Sequence, residues 1–216
     1  NYIYCSSDFR KNIKFKKEFF RYKNFVILKT KYKINKKINK KNKLLLTTSG
    51  STQSPKFVRL SEENISNNTK IIQKYLNIKS SNIAITTMPM AYSYGLSIIN
   101  SHLNTGGKIV VTNKTVFEKE FWQSFKKFNV STISGVPQFY EQLRKLKLEK
   151  MNLSNLKYLT QAGGSLSKDN LDYFYNLCSI KKIKFIVMYG QTEASPRMSY
   201  LPWKNFLNKR QSIGKE

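Results

Sequence analysis

Apolar residues fall into short runs separated by polar turns, and the period of each run predicts an element. "NYIYCS" (1–6) and "NFVILKT" (24–30) are rich in β-branched and aromatic residues and read as strands. Between them, "RKNIKFKKEFFRYK" is basic and fits neither period cleanly, while "KYKINKKINKKNK" (31–43) reads as a solvated loop. "KLLLTTS" predicts a short buried strand. A rhythm then sets in. "PKFVRLS" predicts a strand, and "SEENISNNTKIIQKYLNI" a helix opened by Ser61 and two acids. "NIAITTMP" predicts a strand, "YGLSIINSHL" a helix, and "GGKIVVT" a strand after a Gly-Gly turn. "VFEKEFWQSFKKF" has Phe117, Phe121, Trp122 and Phe125 at spacings of three and four, which predicts an amphipathic helix. "VSTISG" predicts a strand, "PQFYEQLRKL" a helix with Pro137 in its first turn, and "LKYLTQAGG" a strand. "SKDNLDYFYNLCSI" predicts a helix, and "IKFIVMYG" a strand ending at "QTE".

Strands thus alternate with helices over residues 57–190, the pattern of an α/β fold whose mostly parallel sheet is wrapped by helices. In such sheets ligands sit beyond the carboxyl ends of the strands. Three strand-end loops are unusually polar or glycine-rich: "TTSGSTQSPK" (47–56), "TQAGGSLS" and "YGQTEASPR". In the first, seven of ten residues are Thr, Ser or Gly, and Lys56 closes the run. Dense backbone N–H groups and a compact cation suit phosphate oxygens, although a plain linker has the same composition. It is not a Walker A loop, because no Gly-Lys-Ser/Thr ends it.

Composition changes this picture little. At 216 residues and 40% hydrophobic content the chain can bury a sizeable core. No run approaches the ~18 apolar residues of a membrane span, and the N-terminus lacks a signal layout; a cytoplasmic protein is expected. The chain starts without Met and stops abruptly at "SIGKE", so an excerpt from a longer protein is expected. Cys5 and Cys178 have no metal or redox spacing and read as two reduced thiols. Lys and Arg outnumber Asp and Glu by 39 to 12, a net charge of +27 that invites a nucleic-acid partner. The excess is mostly Lys, however, and it travels with Asn and Ile along the whole chain. No zinc-finger, helix-turn-helix or ribonucleoprotein motif accompanies it. The charge reads as compositional and no nucleic-acid partner is expected, with a basic nucleic-acid-binding module as the lesser alternative.

The loops together resemble the adenylate-forming superfamily of acyl-CoA synthetases, peptide-synthetase adenylation domains and luciferases. "TTSGSTQSPK" resembles its phosphate loop T-S-G-[ST]-T-G-x-P-K-G, and "MPMAYSYG" (88–95) its P-L-x-H-x-x-G segment. "QAGGSLS" (161–167) resembles S-G-G-A-P-L-S, and "MYGQTE" (188–193) matches Y-G-x-T-E. The order is the family's, and the likeness spans residues 44–216. The resemblance implies a partial large N-terminal domain over 1–216, truncated at both ends and without the small mobile C-terminal domain. It also implies ATP, Mg²⁺, a carboxylic acid substrate and a thiol acceptor, either coenzyme A or the phosphopantetheine of an acyl or peptidyl carrier protein. By position, Thr48, Ser49, Gly50, Ser51, Thr52 and Lys56 would hold the β- and γ-phosphates. Ala162, Gly163 and Gly164 would lie along one face of adenine, with Tyr189 stacked on the other beside Gly190. Thr192 would bond the α-phosphate and Glu193 would coordinate Mg²⁺. Tyr92, Tyr94, Gly95 and the "SGVPQ" turn with Gly135 would face the acyl group. Lys56, Thr192 and Glu193 would be the catalytic set.

Departures from the pattern matter too. Gln53 replaces the loop's usual Gly, which costs on the order of 1–2 kcal/mol if that position needs φ > 0, and leaves a degenerate relative as an alternative. Phe57 replaces the Gly after the Lys, where the chain enters a strand. Tyr92 stands where many relatives have His. Arg197 fits either a phosphate or carboxylate partner or a surface position. The family's ribose-binding Asp and catalytic Lys would lie beyond "SIGKE". A serine hydrolase is disfavoured, since no G-x-S-x-G elbow occurs. The chain's one His, His102, falls mid-helix and reads as a packed or surface residue.

Overall fold

A computed structural model describes residues 2–31, 39, 41–48 and 56–216. The chain divides into two compact units, Asn1–Lys40 and Lys41–Glu216. The first is an antiparallel sheet of β1 (Tyr2–Ser6), β2 (Phe15–Tyr22) and β3 (Phe25–Thr30), in the order β1-β3-β2. In β3 the buried residues Val26, Leu28 and Thr30 alternate with more exposed ones, the period-2 signature. β2 is the strand that the segment between the two expected strands conceals. Its pairing with β3 shifts register between Phe15 and Lys17 and again between Glu18 and Phe20, which breaks the alternation a sequence pattern needs.

In the second unit β4 (Asn42–Thr47) and β5 (Phe57–Ser61) form an antiparallel ribbon of their own. This corrects two expectations. β5 precedes a helix but does not enter the parallel sheet, and β4 is only partly buried: Leu46 is inside while Leu45 is 55% exposed. β5 does begin at Phe57. The helix α1 (Glu62–Leu76) starts where Ser61 predicts. Ser61 Oγ accepts from the Asn64 N–H at 3.1 Å, and Asn64 Oδ1 accepts from the Ser61 N–H at 3.0 Å, a reciprocal cap. Ser61→Ala is expected to lower stability by about 1 kcal/mol in urea denaturation. An unchanged midpoint would mean the cap contributes nothing.

The main sheet has six strands, in the order β7-β6-β8-β9-β10-β11. They are β6 (Ile83–Ile85), β7 (Lys108–Val110), β8 (Thr132–Gly135), β9 (Tyr158–Gln161), β10 (Lys184–Tyr189) and β11 (Ser199–Tyr200). All neighbours run parallel except β10 and β11. The connecting helices are α2 (Ser93–Leu103), α3 (Lys119–Lys127), α4 (Pro137–Arg144) and α5 (Lys168–Ile180). Strand residues divide by parity. Ile85, Ile133, Leu159 and Phe185 pack with Phe121, Leu143 and Phe174 of α3, α4 and α5. Ala84, Tyr158, Ile186 and Met188 pack with Ile72 and Ile98 of α1 and α2. Both faces are therefore covered, as a parallel sheet requires.

α3 starts later than its aromatic spacing predicts. Glu118 Oε2 accepts from the Thr115 N–H at 2.7 Å, forming a turn ahead of the helix. Val116 then enters the core at 2% exposure, and Phe117 is left 55% exposed. Among the described residues no helix is long and apolar enough to cross a membrane.

The chain goes from β6 outward to β7, then returns to the other side of β6 with β8 and continues through β9 and β10. The order reverses between β6 and β8. At such a reversal the loops leaving adjacent carboxyl ends diverge and open a crevice.

Candidate active site

A cavity of about 1120 Å³ lies at the carboxyl ends of β9 and β10, beside the start of α2. Its wall combines Thr47 and Thr48 with Tyr92–Tyr94, Gln161–Leu166, Val187–Glu193, Pro196, Arg197 and 210–213. Segments far apart in sequence thus converge on one space.

The turn after β9 is built for close approach. Gly163 has φ +82°, and a Cβ there would stand 2.7 Å from the Tyr92 hydroxyl. Gln161 Nε2 donates to the Gly164 carbonyl at 2.7 Å and pins the turn. Ala162, Gly163 and Gly164 therefore offer backbone and little side chain to the cavity. Across the next strand, Tyr189 ends β10 and is 43% exposed. At Gly190 a Cβ would run into the backbone nitrogen of Arg197, so the returning loop needs glycine there. That loop is held by Asn68, whose Nδ2 donates to the Ser195 carbonyl at 3.0 Å and to the Pro196 carbonyl at 2.7 Å.

Thr192 Oγ1 lies 2.9 Å from Ser93 Oγ at the start of α2. Glu193 is exposed at the rim and has no ion-pair partner among the described residues. No group of three or more His, Cys, Asp or Glu among the described residues could hold a metal by itself. At the neck of the first loop the Thr48 N–H donates to the Lys56 carbonyl at 3.2 Å. Ser49, Gly50, Ser51, Thr52 and Gln53 lie outside the described residues. Lys56 is exposed and does not border the cavity.

The expected acyl-pocket residues separate. Tyr92 and Tyr94 border the cavity, edge to face with ring centroids 6.5 Å apart. The Tyr94 hydroxyl donates to the Thr160 carbonyl at 3.0 Å, and burial pushes its pKa up to about 12, so it offers a ring wall, not an acid. Gly95 and Gly135 do not border this cavity, contrary to expectation: a side chain at Gly95 would meet the Pro89 carbonyl, and one at Gly135 the Phe139 ring. Their small size serves packing behind the wall. Sequence reasoning passed over Ser93, Gln161, Lys168 and Arg210, which do border it. Arg210 pairs with Asp172 at 2.6 Å. With Arg210 held by Asp172, the wall keeps two cations without a salt bridge among the described residues, Lys168 and Arg197, against one acid, Glu193, a balance that favours an anionic ligand.

His102 is packed and lies away from the cavity. Its Nδ1–H donates to the Ile98 carbonyl at 2.8 Å, which leaves Nε2 to accept from Thr132 Oγ1 at 3.3 Å. Burial, with the nearby Arg197 charge, lowers its pKa to about 4, and the carbonyl bond opposes that only in part.

The sequence pattern of the AMP-binding enzyme family matches residues 10–216. The chain belongs to this family. It is 27% identical over 151 residues to the acyl-CoA ligase sidI of Aspergillus fumigatus, a match covering 69% of this chain and 25% of that protein. To the dimodular nonribosomal peptide synthase of Bacillus subtilis it is 26% identical over 164 residues, covering 73% of this chain and 7% of that one. The chain therefore spans a quarter or less of these relatives. Among solved structures it is similar to the o-succinylbenzoate CoA synthetase of Bacillus subtilis in complex with its acyl-adenylate intermediate. The TM-score is 0.69 at 22% identity, over 79% of this chain and 34% of that one. A structure of the same synthetase with ATP and magnesium gives 0.68 at 22% identity, with the same coverage. At that identity the likeness establishes the fold, that of the N-terminal domain of adenylate-forming enzymes.

Proposed function

We propose that this chain is the nucleotide-binding part of a ligase that activates a carboxylic acid with ATP and passes the acyl group to a thiol. In the first step a carboxylate oxygen attacks the α-phosphorus of ATP, the bond to the bridging oxygen breaks, and pyrophosphate leaves. In the second the thiol sulfur attacks the acyl carbon, loses its proton to solvent and displaces AMP. The thiol is that of coenzyme A or of carrier-protein phosphopantetheine; kinship with both an acyl-CoA ligase and a peptide synthase supports either. The observation that carries the reading is the convergence of Thr48, Tyr92, Gly163 and Tyr189–Glu193 on one cavity with a cationic wall.

Roles follow from chemistry at each position. Adenine, a flat base, lies between the small residues Ala162, Gly163 and Gly164 and the ring of Tyr189, with Gly190 beside it. The Ser93 and Thr192 hydroxyls are 2.9 Å apart and either can donate; with Ser93 as donor, the Thr192 proton is free for an α-phosphate oxygen. Thr48, Ser49, Gly50, Ser51, Thr52 and Lys56 supply N–H groups, hydroxyls and a cation to the outer phosphates. Tyr92 and Tyr94 border the acyl group, with Gly95 and Gly135 packed behind.

Magnesium fits the donor at hand: Glu193 is a hard carboxylate at the rim with no ion pair among the described residues, and phosphate oxygens and water complete such a shell. When bound, the ion neutralises phosphate charge that would repel the incoming carboxylate. We further propose that the rest of the enzyme, including a mobile domain with a Lys for the reacting carboxylate, lies outside residues 1–216, and that the chain alone forms no acyl-adenylate.

Calorimetry of the 216-residue chain with AMP tests the reading. AMP is expected to bind, and Tyr189→Ala to weaken it about tenfold through lost stacking, since stacking a base on an aromatic ring contributes ~1–3 kcal/mol. Equal AMP affinity in both proteins would remove Tyr189 from the site, and no AMP binding at all would overturn the reading.

A further inference from the structure

Arg197 is an expensive residue to place where it is. It is 2% exposed, and its Nε is buried without a hydrogen-bond partner. Its surroundings are neutral. Cζ stands 5.4 Å from the centroid of the Tyr94 ring, Nη2 reaches Ser101 Oγ at a long 3.4 Å, and the Tyr75 hydroxyl faces it while pointing to Met188 Sδ. No carboxylate among the described residues pairs with it. A guanidinium removed from water without a counter-charge is strongly unfavourable, so a buried one normally has an anion.

The backbone is arranged to hold this residue nonetheless. Arg197 has φ +68° and Ser195 φ +55°, both uncommon for residues with side chains. Gly190 is bare where the Arg197 nitrogen packs, and Asn68 clamps the two carbonyls just before it. Arg197 is among the residues that border the cavity, as is Tyr94, and its guanidinium runs past the Tyr94 ring to Ser101 in the last turn of α2.

We propose that Arg197 selects the substrate: the acid carries a second carboxylate, remote from the reacting one, which becomes the missing counter-ion of this buried guanidinium. The proposal rests on the reading of the cavity as an adenylation site. The planar fork of Arg matches a carboxylate in two parallel hydrogen bonds, and the Tyr94 ring and the buried wall exclude competing water. A neutral acyl tail would leave the charge unpaired, so discrimination between diacids and monoacids arises from the enzyme's own unsatisfied group.

The test uses the 216-residue chain saturated with AMP. Thermal shifts are measured with succinate, glutarate and adipate and with butyrate, valerate and hexanoate, at constant ionic strength. At least one diacid is expected to bind at least about tenfold more tightly than its monoacid counterpart, the worth of a charge-assisted contact. Arg197→Met should abolish that preference while AMP still stabilises the variant, and Arg197→Lys should restore part of it. Equal shifts from diacids and monoacids in the parent chain would overturn the proposal, whether or not the Met variant folds. So would loss of AMP stabilisation in a folded Met variant, since Arg197 would then hold the phosphate. If AMP fails to stabilise the parent chain, the adenylation reading itself falls, and the proposal with it.

Discussion

Glu193→Gln is expected to cut acid-dependent pyrophosphate exchange in the complete protein by a factor of hundreds. The change is nearly isosteric and removes one charge. Glu193 stands exposed at the cavity rim, in the short turn Thr192–Ala194 that follows β10, and has no ion pair among the described residues to lose. Stability should therefore be unchanged. The amide retains one neutral oxygen, a far poorer ligand for a hard divalent ion. Loss of a charged group acting on the transition state commonly costs about 3–4 kcal/mol, which sets the expected factor. AMP binding without magnesium should survive if, as proposed, the adenine contacts are those of Gly163 and Tyr189. Exchange within about threefold of the parent, on the same scale of charged contacts, would exclude Glu193 as the metal ligand.

What the sequence made legible was whatever depends on neighbours along the chain. Ser61 announces α1 because a cap is satisfied within three residues. β9 and β10 stand out as apolar runs because both their faces are covered. β2 was hidden because two register shifts scramble its alternation, and Phe117 misled because the Glu118 side chain closes a turn that spacing alone does not reveal. The site divides the same way. Glycine and threonine at strand ends carry a local signature, so Gly163 and Thr192 could be singled out. The partner that orients Thr192 is Ser93, 99 positions away, and the clamp on the Arg197 loop is Asn68, 127 positions from Ser195. Whether Arg197 is a surface residue or a buried cation depends on that clamp and on the missing side chain at Gly190, and no pattern within the loop distinguishes the two.

Acid is expected to unfold the protein through His102. The ring is 1% exposed and sits in its neutral form between the Ile98 carbonyl and Thr132 Oγ1. Burial holds its pKa at about 4, against 6.5 for a free imidazole. The unfolded chain therefore takes up a proton more readily than the folded one. Stability is complete above about pH 6.5 and declines as pH falls toward 4, by about 3 kcal/mol in all, since a tenfold difference in proton affinity is worth about 1.4 kcal/mol. Between pH 7.5 and 5 the loss should reach about 2 kcal/mol by the same relation. His102 is the only histidine in the chain, and carboxylates of ordinary pKa titrate mostly below this window. Urea denaturation of His102→Gln supplies the control. The variant should be less stable at pH 7.5, where the native packing is disturbed, yet lose little more on acidification to pH 5. A variant that follows the parent's pH slope would show that another group drives the acid transition. The same substitution separates chemistries: in the complete protein His102→Gln should leave pyrophosphate exchange near normal, because the ring is committed to α2 and β8 and never reaches the cavity. Exchange abolished in a variant that stays folded would mean a histidine base takes part after all, and the adenylation assignment would have to yield to it.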